Sequence, residues 1–205
     1  AAVSVSTTPK AAAPTIATAV DARVLSSEVY LHRRAEGAFE GPHGQPLVGV
    51  TPDDLRDALY AAKIASYTQG FALLAAGSRE RGYGTDLAEV ARIWKAGCII
   101  RARLLDAVRS AFAAEPDTLL VLAGPFREEL AARLPAWRRV VAAAATAGQP
   151  VPGLAISLGW FDTLVTARGS ANLIQAQRDA FGGHTHERVD RPGQWVHSEW
   201  SRPGP

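Results

Sequence analysis

The sequence predicts an all-α protein. Apolar residues recur at helical spacing through most of the chain, and clusters of Gly and Pro punctuate the periodic segments. No β-branched run alternates apolar and polar residues over the length of a strand.

Residues 1–14 are small, polar and interrupted by Pro, and read as a frayed arm or a join. The first helix starts near Thr15, with Ile16, Val20 and Val24 on one face, and fades through His32-Arg33-Arg34. Residues 36–50 carry turn formers and no period, so they form a loop. The second helix has a clear start. Thr51 is a good N-cap, Pro52 fits the first helical position, and Asp53 and Asp54 oppose the positive end of the helix dipole. Thr51 and Asp54 approximate a capping box, with Asp where Glu or Gln is usual. This helix is expected to stop at Gly77. Thr85 caps a third, unusually long helix that continues through Phe112. Asp117 opens a shorter one, broken at Gly124-Pro125, and another runs from about Phe126 to the alanines before Gly148. Pro150 and Pro152 force a loop, residues 155–169 are helical again, and a last short helix covers Ala171 to Phe181. Residues 182–205 read as a Gly/Pro-rich tail with two Trp, Trp195 and Trp200. The division expected is an arm at 1–14, one all-α domain at 15–187 and a C-terminal tail at 188–205.

Composition narrows the function classes. With 205 residues, 47% of them hydrophobic, the chain can bury a sizeable core. Its 22 Lys and Arg against 20 Asp and Glu leave a net charge of +2 without a basic stripe, which argues against nucleic acid as a partner. A single Cys, Cys98, excludes an intrachain disulfide and a Cys-based zinc site, and fits a reducing, cytoplasmic compartment. Cys98 lies on an apolar helix face, where a Cys is usually an inert small hydrophobe. The apolar runs are too short and too often broken by charge to span a membrane. The N-terminal residues lack the basic and apolar regions of a signal peptide. There is no Met, so the start is expected to be processed or cut from a longer chain. Neither a GxGxxG nor a P-loop is present.

The informative residues are cations on apolar faces. Arg101 shares its face with Trp94, Gly97, Cys98, Leu105 and Val108, and Lys63 has Leu59, Tyr60, Ser66, Tyr67 and Gly70 around it. Both could reach the surface along their apolar stems or pair with carboxylates. From pattern alone that is the favoured reading; two converging cations would also suit an anionic ligand, Arg through a planar fork and Lys as a point charge. Arg178 ends the last helix, where the plain reading is a partner for the helix dipole. His184 follows a Gly-Gly hinge that frees the backbone to aim it; the plain reading is a surface histidine. His184 and His186 lie two apart, but no further ligand sits at a supportive spacing, so no metal site is assigned. Asp179 beside Arg178 reads as a local ion pair worth little.

Four stretches carry a resemblance: ALYAAKIASYTQGFALL (58–74), IWKAGCIIRARLL (93–105), SANLIQAQRDAFGGHTHER (170–188) and PGQWVHSEW (192–200). Together they resemble the C-terminal domain of decarboxylating 6-phosphogluconate dehydrogenase, from about Ala12 to Trp200. The segment from Ile174 to Thr185 is the specific signal; the GCIIR and Lys-centred segments support it. The resemblance implies an enzyme of the pentose phosphate pathway that oxidises 6-phosphogluconate with NADP and decarboxylates it to ribulose 5-phosphate. It implies an all-helical, dimer-forming domain whose tails are exchanged between subunits. By motif, Lys63 and Arg101 match the family's substrate-binding Lys and Arg, while Arg178 and His184 match the pair that enters the partner subunit's site. The family's GxGxxG domain and the segment with its general-base Lys and general-acid Glu have no counterpart in these residues. SVSTTPKAAAP near the N-terminus does not match. The expectations are therefore a homodimer that binds a phosphorylated sugar acid or other small anion, with no catalytic residue and no cofactor site assigned in this chain. As an isolated chain it should not reduce NADP, and a separate Rossmann-type chain is an expected partner. Two other readings stand beside this one: a repurposed, cofactor-free lyase or isomerase acting on another anion, and a non-catalytic scaffold dimer.

Overall fold

A computed structural model describes residues 11–97 and 103–200. It is helical, as expected, with eight α-helices and one small hairpin among the described residues. Two compact units divide it, one up to Phe161 and one from Asp162 onward.

In the first unit, α1 (Pro14–Ser26) and α2 (Val29–Glu36) replace the single fading helix expected. The break falls at Ser27, whose hydroxyl bonds back to the Val24 carbonyl at 2.6 Å, an alternative to continuing the helix. Neither helix buries a residue; Ile16, Val20 and Val24 all stay exposed. Two bonds hold α1 to the body. The Thr15 backbone N–H donates to Gln69 Oε1 at 2.9 Å, and Gln69 Nε2 donates to Thr15 Oγ1 at 2.9 Å.

α3 (Pro52–Arg81) begins where the capping signal places it. Thr51 Oγ1 accepts from the Asp54 N–H at 3.1 Å, and the Asp54 carboxylate accepts from the Thr51 N–H at 3.0 Å, so Asp does the work usually given to Glu. Arg139, on α6 (Gly124–Thr146), donates to the same carboxylate and ties the start of α3 to the middle of α6. The Thr51 N–H first, then Arg139, hold the Asp54 carboxyl down from 3.8 to about 2. Gly77 does not end α3. The helix runs on to Arg81 and closes at Gly82, which takes the left-handed conformation (φ 67°) that glycine adopts without a Cβ penalty.

The third helix is not continuous. α4 (Leu87–Gly97) and α5 (Leu104–Ala114) pack against each other, and Lys95 Nζ lies 2.6 Å from Asp106 Oδ1. Eleven residues along one straight helix would separate that pair by about 16 Å, so α4 and α5 are two helices packed on each other. The cap of α4 is Asp86, not Thr85: its carboxylate accepts from the Ala88 and Glu89 N–H groups at 2.8 and 3.2 Å. Asp117 opens no α-helix; a 3₁₀ turn at Leu120–Leu122 leads into α6. Pro125 stands in the first turn of α6, where its missing N–H costs no helical bond, so it opens this helix instead of breaking one.

The core lies where α3, α5 and α6 meet. Ile64, Phe71, Leu105, Val108, Phe126, Trp137 and Val140 are each almost wholly buried, at about 1.5–3 kcal/mol per large apolar side chain. The Phe71 ring sits 5.1 Å from both Trp94 and Phe112. Trp137 satisfies its indole N–H on the Leu154 carbonyl of α7 (Pro152–Val165) at 3.1 Å.

In the second unit, α8 (Ala171–Gly182) is followed by a hairpin, β1 (His186–Arg188) paired antiparallel with β2 (Arg191–Val196). A strand was not expected here. Pro192 and Gly193 lie inside β2, residues that argue against a strand in the middle of a sheet but are tolerated on an edge, and both strands of a hairpin are edges. The register slips between Glu187 and Arg188, and Gly193 takes a positive φ of 84°. Among the described residues, no helix is long and apolar enough to cross a membrane.

Candidate functional site

Lys63 stands half-buried on α3 and lines an open groove of about 460 Å³ with Thr15, Ser66, Leu59 and residues 151–154. Among the described residues no carboxylate pairs with its ammonium group, so the ion-pair reading is not what the fold provides for it. Lys63 shares the wall of this groove with Leu59 and Leu154. A larger cleft of about 740 Å³, beside Arg79, Asp86 and Asp117, holds none of the expected site residues. Arg101 and Cys98 lie outside the described residues.

Arg178 and His184 belong to the second unit, where the end of α8 brings them together. Gly183 takes the left-handed cap conformation (φ 61°), its N–H donates to the Asp179 carbonyl at 3.0 Å, and the chain folds back over the last turn. The His184 N–H then faces the Arg178 carbonyl at 3.5 Å. Gln175 stitches the corner: its Oε1 accepts from Arg178 Nη1 at 3.3 Å, and its Nε2 donates to the Thr185 carbonyl at 3.0 Å. In this structure the Gly-Gly pair forms a bend held by these bonds. A Cβ on Gly182 would lie 3.3 Å from the His184 ring, so the imidazole packs on that glycine. The guanidinium and the imidazole both face solvent from this one corner. A cation with a fork of N–H donors beside a ring that donates or accepts suits an anion bearing several oxygens.

Asp179 does not pair with Arg178. Its carboxylate is buried and accepts from His197 Nδ1 at 2.7 Å, the Ser198 N–H at 2.8 Å and Trp200 Nε1 at 3.0 Å. The Ser198 N–H first, then the His197 imidazole, hold its carboxyl down from 3.8 to about 2, against the opposing effect of burial. Sequence reasoning missed this centre because its donors lie 18 to 21 residues away. Its one signal was an Asp placed next to the cap of a helix whose tail carries His and Trp. His186 Nδ1 stands 3.5 Å from the same carboxylate. Among the described residues no group of three or more His, Cys, Asp or Glu is arranged to hold a metal ion.

Fold and corner together define an all-helical domain closed by a hairpin tail. Comparison with known proteins makes this specific: the family profile for 6-phosphogluconate dehydrogenase, C-terminal domain, matches residues 2–200, and the chain belongs to that family. Among curated relatives, the decarboxylating 6-phosphogluconate dehydrogenase of Synechococcus elongatus is 48% identical over 193 residues, covering 92% of this chain and 41% of that protein. A chloroplastic form from Arabidopsis thaliana is 46% identical over 205 residues, covering 93% of this chain and again 41% of the relative. The solved 6-phosphogluconate dehydrogenase of Plasmodium falciparum, described in its apo form and in complex with NADP+ and with 6-phosphogluconate, superposes with a TM-score of 0.85 at 37% identity. That match covers 93% of this chain and 42% of the solved one. The chain thus spans about two fifths of the relatives it matches.

Proposed function

We propose that this chain is the substrate-binding and dimer-forming part of a decarboxylating 6-phosphogluconate dehydrogenase. In this reading Lys63 and Arg101 of one copy, with Arg178 and His184 of a second, hold the phosphorylated sugar acid. The observation that carries it is the corner at the end of α8, where an exposed Arg178 and an exposed His184 meet through their main chains within the family's most specific segment. Lys63, with no carboxylate partner among the described residues and lining a groove, supports the second half of the clamp. Large apolar side chains left in the open support a second copy: Leu173 and Phe181 of α8 are 74% and 85% exposed, and Tyr30 of α2 is 74% exposed. A cytoplasmic setting agrees with the single Cys.

The solved relative binds NADP+. The described residues here offer no match for that coenzyme: the only strands form an antiparallel hairpin, and no strand leads through a glycine loop into a helix. No coenzyme step is therefore assigned to these residues. Their contribution is to neutralise and orient an anion. In this reading His184 hydrogen-bonds the substrate from the corner.

Calorimetric titration of 6-phosphogluconate and of inorganic phosphate into the purified chain tests the proposal. Charge-assisted contacts contribute roughly 1.5–3 kcal/mol each, less desolvation and ordering. Binding is expected between about millimolar and tens of micromolar, or about −4 to −7 kcal/mol. Arg101→Ala and Arg178→Ala should each weaken it about tenfold or more with melting unchanged. A melting curve that collapses in Arg101→Ala while affinity holds would remove Arg101 from the site.

A further inference from the structure

The Asp179 carboxylate is the most heavily engaged polar group of the second unit, and the proposed binding role gives it nothing to do. It adjoins Arg178 in the chain, yet its side chain points inward, and the residue is 4% exposed. Three N–H donors converge on it from the end of the tail: His197 Nδ1 on one oxygen, the Ser198 N–H and Trp200 Nε1 on the other. These bonds return the chain, after the hairpin, to the C-terminal end of α8. The same residue holds the bend from its main chain, since its carbonyl accepts from the Gly183 N–H at 3.0 Å. The imidazole it anchors leans on that bend: a Cβ on Gly183 would lie 3.8 Å from His197 Cε1. Tail, bend and helix end are thus locked through one side chain, and the bend carries His184 and closes over Arg178.

We propose that Asp179 is a positioning residue: its carboxylate pins His197, Ser198 and Trp200 against the end of α8, and this packing fixes the bend that presents Arg178 and His184. The inference rests on the reading of those two residues as anion-binding groups. Geometry makes the acceptor specific. Ala leaves the Ser198 and Trp200 donors without their acceptor. Asn keeps one oxygen for both of them and turns its amide toward His197, whose ring nitrogen can accept in the other tautomer.

The test uses the 205-residue chain. Amide exchange is followed at residues 183–185 and 197–200, beside calorimetry with 6-phosphogluconate and the melting temperature. Asp179→Ala should speed exchange in both segments and weaken 6-phosphogluconate about as much as Arg178→Ala does, with the melting of the first unit unchanged. Asp179→Asn should recover most of both effects, and Trp200→Phe, which removes one donor, should fall between. A bend that stays protected in Asp179→Ala while the tail is released overturns the proposal. So does a loosened bend with wild-type affinity, when Arg178→Ala has lowered that affinity. If Arg178→Ala binds like wild type, the anion reading fails by itself, and exchange at 183–185 alone then decides the positioning role. If Asp179→Ala does not fold, wild-type exchange in Trp200→Phe is the overturning result.

Discussion

Gly148 closes α6 onto the loop before α3, and replacing it tests how that loop is held. Its φ is +64°, and a Cβ there would fall 1.7 Å from the Pro42 carbonyl oxygen and 2.7 Å from the Pro42 carbonyl carbon. Both are backbone atoms, so the clash cannot be relieved by turning a side chain; the loop must lift away. Three bonds hold it: Gly44 N–H to the Gly148 carbonyl at 3.2 Å, Gln45 N–H to the Ala147 carbonyl at 3.0 Å, and Gln149 Nε2 to the Gln45 carbonyl at 3.2 Å. At about 0.5–1.5 kcal/mol net each, their loss sums to about 1.5–4.5 kcal/mol. Placing Ala in the left-handed region adds about 1–2 kcal/mol. Gly148→Ala should therefore destabilise by about 2.5–6.5 kcal/mol in urea melts, with faster amide exchange at residues 44 and 45. A variant within about 0.5 kcal/mol of wild type, its loop still protected, would refute this account of the α6 terminus.

Gly77→Ala carries the opposite sign: it lies inside α3 with nothing within 4 Å of an added Cβ, so thermal melts should show a gain of up to about 1 kcal/mol. Asp54 predicts a pH dependence. Its folded carboxyl lies at about 2 against 3.8, so the stability it contributes is complete above about pH 4 and is lost as pH falls toward 2. Melting temperatures taken between pH 5 and 2 should fall more steeply for wild type than for Asp54→Asn, and parallel curves would remove Asp54 as the cause.

What the sequence made legible was local. Thr51, Pro52 and Asp54 mark the start of α3 because capping is written in residues three apart. Ala171 marks the start of α8 to the residue, and Gly182-Gly183 mark its end. The packing of α4 on α5 was not legible, since apolar residues recur through both and the pairing of Lys95 with Asp106 is a tertiary contact. Gly77 misled because tertiary packing of α3 overrides the weak propensity of one glycine. The hairpin was hidden by Pro192 and Gly193, which read as tail and sit on an edge. At the end of α8, the resemblance singled out Arg178 and His184, which share one bend, whereas the Asp179 centre depends on contacts across 18 or more residues that no spacing encodes.

The central claim is that one copy's α8 corner completes the other copy's Lys63 site, and mixing variants tests it most directly. Lys63→Ala and Arg178→Ala should each bind 6-phosphogluconate weakly. Unfolded together and refolded as mixed dimers, they should regain wild-type affinity in about a quarter of all sites, since half the dimers are mixed and each mixed dimer holds one intact site. If both groups acted within one copy, every site would keep one defect, and a mixture that binds no better than its parents would contradict the account.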